Sequence, residues 1–375
     1  MPRARLWTVA LSVSALISIN LLGTPAHAAL PTAAVALGDS FASGEAGRWQ
    51  GNSLSTTGSI DGTDRSYASG TADPHRVYGT TYDNACDRSD TAPIRSAALP
   101  VTERINLACS GATTANVFRA SSGGVAYKGE APQADQLAAV ARAKDVRLIT
   151  LTIGGNDLGF ADIITACVKA YMLYYYCNPD QQAVVDERID AVRAGVGKAV
   201  DEIRAVMSDA GYSPSGYTLI VQSSPSPVTR AATNRYGEYG WTRTNTGGCP
   251  FWNGDLDWAR DSLTGQLADM IGEVAADKGA RFLDLRDAFE GREVCATASR
   301  QVDATHPASG ANSEWVRWLV TGMTSSPGDK RESFHPNAYG QQALGRCLAL
   351  SAASTAPSRA CRNTAGQGPT GMTLS

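Results

Sequence analysis

The stretch Ala33-Ala34-Val35-Ala36-Leu37-Gly38-Asp39-Ser40-Phe41-Ala42-Ser43-Gly44 decides the fold. Five apolar residues run without alternation and stop at a glycine. Such a run reads as a strand buried on both faces, as in a parallel sheet covered by helices. The pattern returns along the chain. Arg104 to Ala108 is a weaker strand run, and Val146 to Ile153 is a strong one closed by Gly154-Gly155. Tyr217 to Gln222 and Arg281 to Leu285 follow. Between these runs lie helical patterns at Gln133 to Arg142, Gln181 to Ser208, Asp255 to Asp277 and Asn337 to Ser351. Strands alternating with helices predict an α/β fold with a parallel sheet. In such folds ligands bind beyond the carboxyl ends of the strands, so the segments after each strand are where chemistry is sought.

The rest of the chain fits one domain over residues 29 to 352. No repeat marks a solenoid or propeller, and no linker separates two domains. Glu45 to Pro100 is a long polar excursion, either a functional covering of the site or a stapled surface loop. Residues 353 to 375 read as an irregular Ser/Thr/Ala/Gly/Pro tail, held at Cys361 if that cysteine is paired. Over 375 residues, 43% hydrophobic and 18% charged content exclude wholesale disorder. A formal charge of -3 with no Lys/Arg-rich run excludes a nucleic-acid binder that works by basic charge.

Residues 1 to 28 read as a secretory leader. Arg3 and Arg5 precede a mostly apolar run from Leu6 to Gly23, and Ala26-His27-Ala28 suits cleavage. A membrane anchor is the competing reading, weakened by Ser12, Ser14, Ser18 and Asn20 inside the run. Removal takes two arginines and no acid, so the formal charge goes from -3 to -5. Export makes the eight cysteines a disulfide set rather than a thiolate zinc site, and no C-x-x-C pair exists. Eight cysteines allow about a hundred pairings. Pairing neighbours in order closes four local loops: Cys86-Cys109, Cys167-Cys177, Cys249-Cys295 and Cys347-Cys361.

Four segments carry candidate chemistry. Gly38-Asp39-Ser40 puts a serine at a helix start after a strand, where its hydroxyl is exposed near backbone N–H donors. Asp and Ser are also ordinary helix caps. The G-x-S-x-G elbow is absent. Ala108-Cys109-Ser110-Gly111 follows the second strand, and Gly111 offers an N–H at an unobstructed turn. Ile153-Gly154-Gly155-Asn156-Asp157 follows the third, with Asn156 as an amide donor. Glu332-Ser333-Phe334-His335-Pro336-Asn337 leads into the last helix, with His335 at its entry. Singly, each segment is also plain turn or cap chemistry.

In order and position after strands, the four segments resemble the SGNH or GDSL hydrolase superfamily over residues 33 to 352. Asn84-Ala85-Cys86-Asp87-Arg88-Ser89 resembles a segment of its secreted actinobacterial lipase branch. The resemblance implies a three-layer α/β/α fold around a central parallel sheet of about five strands. It also implies Ser40 as nucleophile and His335 as general base. The Ser40 and Gly111 N–H groups and the Asn156 amide would form the oxyanion hole.

One departure stands out. The family's Asp three residues before the His is Glu332 here, one methylene longer. Either Glu332 or, as in the secreted branch, the backbone carbonyl of Ser333 then orients His335, with the carbonyl preferred. Asp303-Ala304-Thr305-His306-Pro307 is a literal D-x-x-H-P, but it does not introduce the last helix. Asp39 and Asp157 read as loop supports and His75 as a surface residue.

The run Ala170 to Tyr176 reads as core packing. Alternatively it forms a stapled loop whose Tyr174 and Tyr175 wall an acyl chain.

Three functions remain at this level. The first is a secreted serine esterase or lipase, with phospholipase activity within its range. The second is a carbohydrate esterase, with Trp49, Tyr67, Tyr78 and Tyr82 of the excursion as a sugar platform. The third is a silent binding module, which would not need the four motif residues. An ester substrate is the expected partner of a monomer, with no metal, nucleotide or other cofactor, no nucleic acid and no stable membrane anchor.

Overall fold

The computed structural model describes residues 1–2, 29–54, 62–320 and 328–375. The chain divides into two compact units, Met1–Leu30 and Pro31–Ser375. The leader, read over residues 1 to 28, lies outside the described residues apart from Met1 and Pro2.

The second unit is built on a seven-stranded sheet. Its strands are β1 (Thr32–Gly38), β2 (Glu103–Asn106), β3 (Asp145–Thr152), β4 (Thr218–Gln222), β5 (Arg281–Asp284), β6 (Ser358–Arg362) and β7 (Thr373–Leu374). They lie in the order β2-β1-β3-β4-β5-β6-β7. Every pair through β6 is parallel, and β7 closes the edge antiparallel. The main helices are α1 (Gln133–Ala143), α2 (Phe160–Met172), α3 (Asn178–Asp209), α4 (Thr264–Asp277) and α5 (Ala338–Ala353). This is the expected α/β architecture. Val35, Leu37, Ile149, Leu151 and Ile220 are fully buried, as their unbroken apolar runs require.

Three differences have physical causes. The sheet has seven strands, not about five, because the tail at 353 to 375 is not irregular. Its Ser358–Arg362 pairs with β5, and Cys361 is disulfide-bonded to Cys347 of α5. A strand with most of its side chains exposed, covered on its outer side only by the two-residue β7, needs no apolar run, so composition hides it. The helix expected over Asp255 to Asp277 contains a wide π-helical turn at Trp258–Leu263, which precedes α4. The stapled stretch between Cys167 and Cys177 is not a loop throughout, since α2 runs over Phe160–Met172 and into it.

The other three disulfides join Cys86 to Cys109, Cys167 to Cys177 and Cys249 to Cys295. Among the described residues, no helix is long and apolar enough to cross a membrane.

Strand order fixes where a ligand can sit. The connection from β1 goes to one side, to β2, and later strands build on the other side from β3. The crevice beyond the ends of β1 and β3 is therefore the topological switch point. The two strand ends are tied there, with the Asp39 N–H donating to the Thr152 carbonyl at 3.0 Å. Gly38 has φ +136°, and a Cβ on it would lie 2.0 Å from the Thr152 carbonyl oxygen. Only glycine allows this approach. The buried Gln133 side chain clamps both backbone groups of Gly38, at 2.7 and 2.8 Å.

Candidate active site

Ser40 opens a single helical turn, Ser40–Ser43, directly after β1. Asp39 caps that turn by accepting from the Phe41 N–H at 3.1 Å. Burial pushes the Asp39 carboxyl up to about 7, further raised by nearby Asp157. On the far side of the switch point, His335 precedes α5. Asn337 caps α5 by accepting from the N–H groups of Tyr339 and Gly340, at 3.0 and 3.3 Å. Its amide donates to the Glu314 carbonyl at 2.7 Å. This pins the His-Pro-Asn turn in place.

The structure brings Ser40 and His335 together, with Oγ and Nε2 2.7 Å apart. Nδ1 lies 3.0 Å from the Ser333 carbonyl oxygen. A carbonyl can only accept, so Nδ1 carries the proton and Nε2 is left to accept from Ser40 Oγ–H. Phe334, between Ser333 and His335, has φ +59°, a left-handed conformation costly for an aromatic residue. That kink folds the Ser333 carbonyl back beneath the imidazole. Backbone bonds at 2.8 Å from Phe334 N–H to the Arg317 carbonyl and from Arg317 N–H to the His335 carbonyl hold it.

Burial lowers the His335 pKa to about 4, with its backbone hydrogen bonds opposing. The side chain keeps 19% exposure, so one edge of the ring still meets the groove.

Glu332 is elsewhere. Its carboxylate accepts from Trp49 Nε1 at 2.8 Å, Tyr78 Oη at 2.9 Å and the Asp329 N–H at 3.0 Å. Its oxygens are taken by the excursion and by its own turn, and His335 Nδ1 bonds the Ser333 carbonyl instead.

Asn156 lines the same groove as Ser40 and His335. One of its two amide hydrogens goes to the Ala112 carbonyl at 2.9 Å, which leaves the other for a substrate oxygen. Gly111 stands in the adjoining turn, one residue before Ala112, with φ +81°. A Cβ there would come within 2.6 Å of the Tyr127 hydroxyl. Asp157 supports this turn by accepting from the Thr114 hydroxyl at 2.6 Å.

A groove of about 800 Å³ runs from Ser40. Its walls are mainly apolar: Phe41, Phe160, Ile164 and Val168 on one side, and Leu263, Leu267, Leu319, Val320 and Phe334 elsewhere. The π-helical turn presents Leu263, and α2 supplies one face. Tyr174 and Tyr175 do not line it, against expectation. α2 continues to Met172, so the chain beyond Leu173 turns outward; Tyr174 is 67% and Tyr175 48% exposed. The sugar platform also fails, since Trp49 and Tyr78 are buried.

His306 is exposed and bonded to its own Asp303. His75 is exposed between Asp73 and Asp83.

Glu45 was not legible as a site residue. Five positions after Ser40 in a polar loop, nothing in the sequence distinguishes it. Yet it is 1% exposed, accepts from Ser110 Oγ through Oε2, and places that oxygen 3.8 Å from His335 Nε2. Burial pushes its carboxyl well up, and Asp87 and Glu332 add to this by repulsion.

A family model described as the GDSL-like Lipase/Acylhydrolase family matches residues 36–343. Lipase 1 of Streptomyces coelicolor is 24% identical over 237 residues, 62% of this chain and 64% of its own length. The chain thus matches less than two thirds of that relative. Among solved structures, the extracellular lipase of Streptomyces rimosus is 22% identical, with 86% of this chain and 100% of that one covered at a TM-score of 0.46. A carbohydrate acetylesterase from Sinorhizobium meliloti is 11% identical, with 85% and 96% covered at a TM-score of 0.37.

Proposed function

Because this chain belongs to the GDSL-like lipase/acylhydrolase family, we propose that it is a secreted, monomeric serine hydrolase of carboxylic esters with apolar acyl chains. One observation carries the reading. Ser40 Oγ lies 2.7 Å from an imidazole nitrogen free to accept its proton, at an apolar groove of about 800 Å³.

In the proposed reaction Ser40 Oγ attacks the ester carbonyl carbon while its proton passes to His335 Nε2. The Oγ–C bond forms and the carbonyl π electrons move to oxygen. The Ser40 and Gly111 N–H groups and the Asn156 amide receive that oxyanion, each donor worth about 3 kcal/mol of transition-state stabilisation. As the C–O bond to the alcohol breaks, His335 returns its proton to the leaving oxygen. Water then attacks the acyl-enzyme by the same route, releasing the acid and restoring Ser40. The Ser333 carbonyl keeps the imidazole in the required tautomer, and no carboxylate is needed for that task. The groove's apolar walls suit an acyl chain better than a sugar, which needs convergent polar partners.

The test is hydrolysis of p-nitrophenyl esters of increasing chain length by the parent protein and by Ser40→Ala. A loss of about a thousandfold or more in kcat is expected for the variant. Near-native turnover by Ser40→Ala would sink the assignment. Labelling of the parent by a fluorophosphonate, absent in the variant, separates an enzyme from a silent binding protein.

A further inference from the structure

Leu173, Tyr174, Tyr175, Tyr176, Tyr239 and Trp241 are all strongly exposed, and they belong to two adjoining loops. The loops are joined through Tyr171, whose hydroxyl donates to the carbonyls of Glu238 and Gly240 at 3.1 and 3.0 Å. Trp252 stands at the centre, with ring centroids 5.7 Å from Tyr174, 6.2 Å from Tyr176 and 5.7 Å from Tyr239.

The surface is held rigidly. Cys167–Cys177 closes the first loop, and the Asp255 carboxylate accepts from the N–H groups of Cys177 and Asn178. The Tyr175 N–H donates to the Ala170 carbonyl at 3.0 Å. Tyr174 itself holds φ +61°, an uncommon conformation for a bulky residue, with its ring outward. Nothing about stability calls for this exposure, because exposed rings forgo the burial that makes aromatics valuable.

The surface is continuous with the groove. Lys169, Met172 and Leu173 line the groove, and the next residue in the chain is Tyr174. Lys330 and Arg331 also line the groove wall, Arg331 being paired with Asp87. Tyr and Trp rings have an apolar body and a polar tip, which suits them to the boundary between hydrocarbon and water. Lysines beside them suit anionic head groups.

We infer that the aromatic surface formed by loops 173–176 and 239–241 docks the protein on a lipid–water interface, with the mouth of the Ser40 groove against it. The inference rests on the ester-hydrolase reading for the purpose of docking. The binding itself is measured without catalysis. An apolar ester long enough to fill the groove is aggregated in water. The surface brings the groove to that aggregate, and the chain enters past Leu173 without crossing bulk water.

The experiment measures co-sedimentation with vesicles of phosphatidylcholine and phosphatidylglycerol. The protein carries Ser40→Ala, so that no lipid is consumed. One comparison adds Tyr174→Ser with Tyr239→Ser. A second adds Tyr175→Ser with Trp241→Ser, which leaves the Trp252 stack intact and guards against misfolding. A loss of about tenfold or more in vesicle partition is expected for each pair. With Ser40 restored, hydrolysis of p-nitrophenyl acetate by the second pair is expected to stay within about twofold of the parent.

Unchanged vesicle partition, or no partition by the parent, would overturn the inference. So would a shift from dimer to monomer, or lost retention on an insoluble glycan, with vesicle partition unaltered. If the parent fails to cleave p-nitrophenyl acetate, the ester-hydrolase reading falls, whatever the vesicles report.

Discussion

Two regions of this protein invert the ordinary rule of burial. The excursion from Glu45 to Pro100 is polar in sequence, yet Trp49, Asp64, Tyr78 and Asp87 within it are buried. The turn from Leu173 to Tyr176 is apolar in sequence, yet every residue of it is exposed. The difference lies in partners. The buried polar groups have charged partners: Arg48 bonds Asp64 at 2.8 Å, and Arg331 forms an ion pair with Asp87 at 2.8 Å. Each pairing offsets part of the cost of burying its carboxylate. The exposed rings have no such account from folding, which points to a surface met later. The excursion works from behind the site. Trp49 donates to Glu332, its carbonyl accepts from the Ala338 N–H at 2.8 Å, and the Glu45 carbonyl accepts from Gln341 at 3.1 Å. It thus braces the turn that carries His335.

The largest expected effect is at Trp49. Its ring is fully buried, with the Arg317 and Arg48 guanidinium carbons 3.9 and 4.7 Å from its centroid. Trp49→Ala should cost about 3–5 kcal/mol of stability by urea denaturation. A cost near zero would mean that the excursion is a loose cover, and the comparison would break.

Next in size is the pH dependence. In the proposed reaction His335 must be neutral to accept the Ser40 proton, and burial lowers its pKa to about 4 from the usual 6.5. Protonation removes the base, so kcat/KM falls as pH drops through the folded-state value. The acid limb is expected near 4 rather than 6.5. On the excursion side the titratable Glu45 faces the imidazole at 3.8 Å, and Arg331 of the turn lies 3.8 Å from Glu45. Asp39 lines the groove with its carboxyl near 7, so the profile is repeated in Asp39→Asn. An acid limb at 6.5 in both proteins would show that the buried surroundings do not desolvate the imidazole.

The sequence was most legible where the backbone does the work. Gly38, Ser40, Gly154 and Asn156 are visible because strand-end turns need particular residues at fixed positions. The strands were visible because two-sided burial demands unbroken apolar runs. Glu45 was hidden because one acid in a polar loop looks solvated until distant chain closes over it. β6 was hidden because most of its side chains are exposed, which removes the apolar requirement. Tyr174 and Tyr175 misled for the opposite reason: hydrophobicity reports what avoids water, and it does not say which surface does the covering.

Glu332 gives a smaller effect of a different kind. With its carboxylate held by Trp49, Tyr78 and the Asp329 N–H, Glu332→Gln presents an amide to donors that need an acceptor. The expected loss is about 1–3 kcal/mol of stability. Turnover per folded molecule should stay far closer to the parent than that of His335→Ala. A kcat loss matching His335→Ala, in protein that remains folded, would make Glu332 part of the proton relay and shift the excursion from brace to participant.

The smallest effect sharpens the other half of the comparison. Tyr175 is 48% exposed and stands outside the Trp252 stack, so its removal opens no cavity. Tyr175→Ser should change stability by no more than about 0.5 kcal/mol in the same urea titration that reports Trp49→Ala. A loss of several kcal/mol would show the ring packed in solution, and the surface would then be part of the core. A change within the expected range leaves an aromatic side chain that folding does not use, beside a groove with mainly apolar walls.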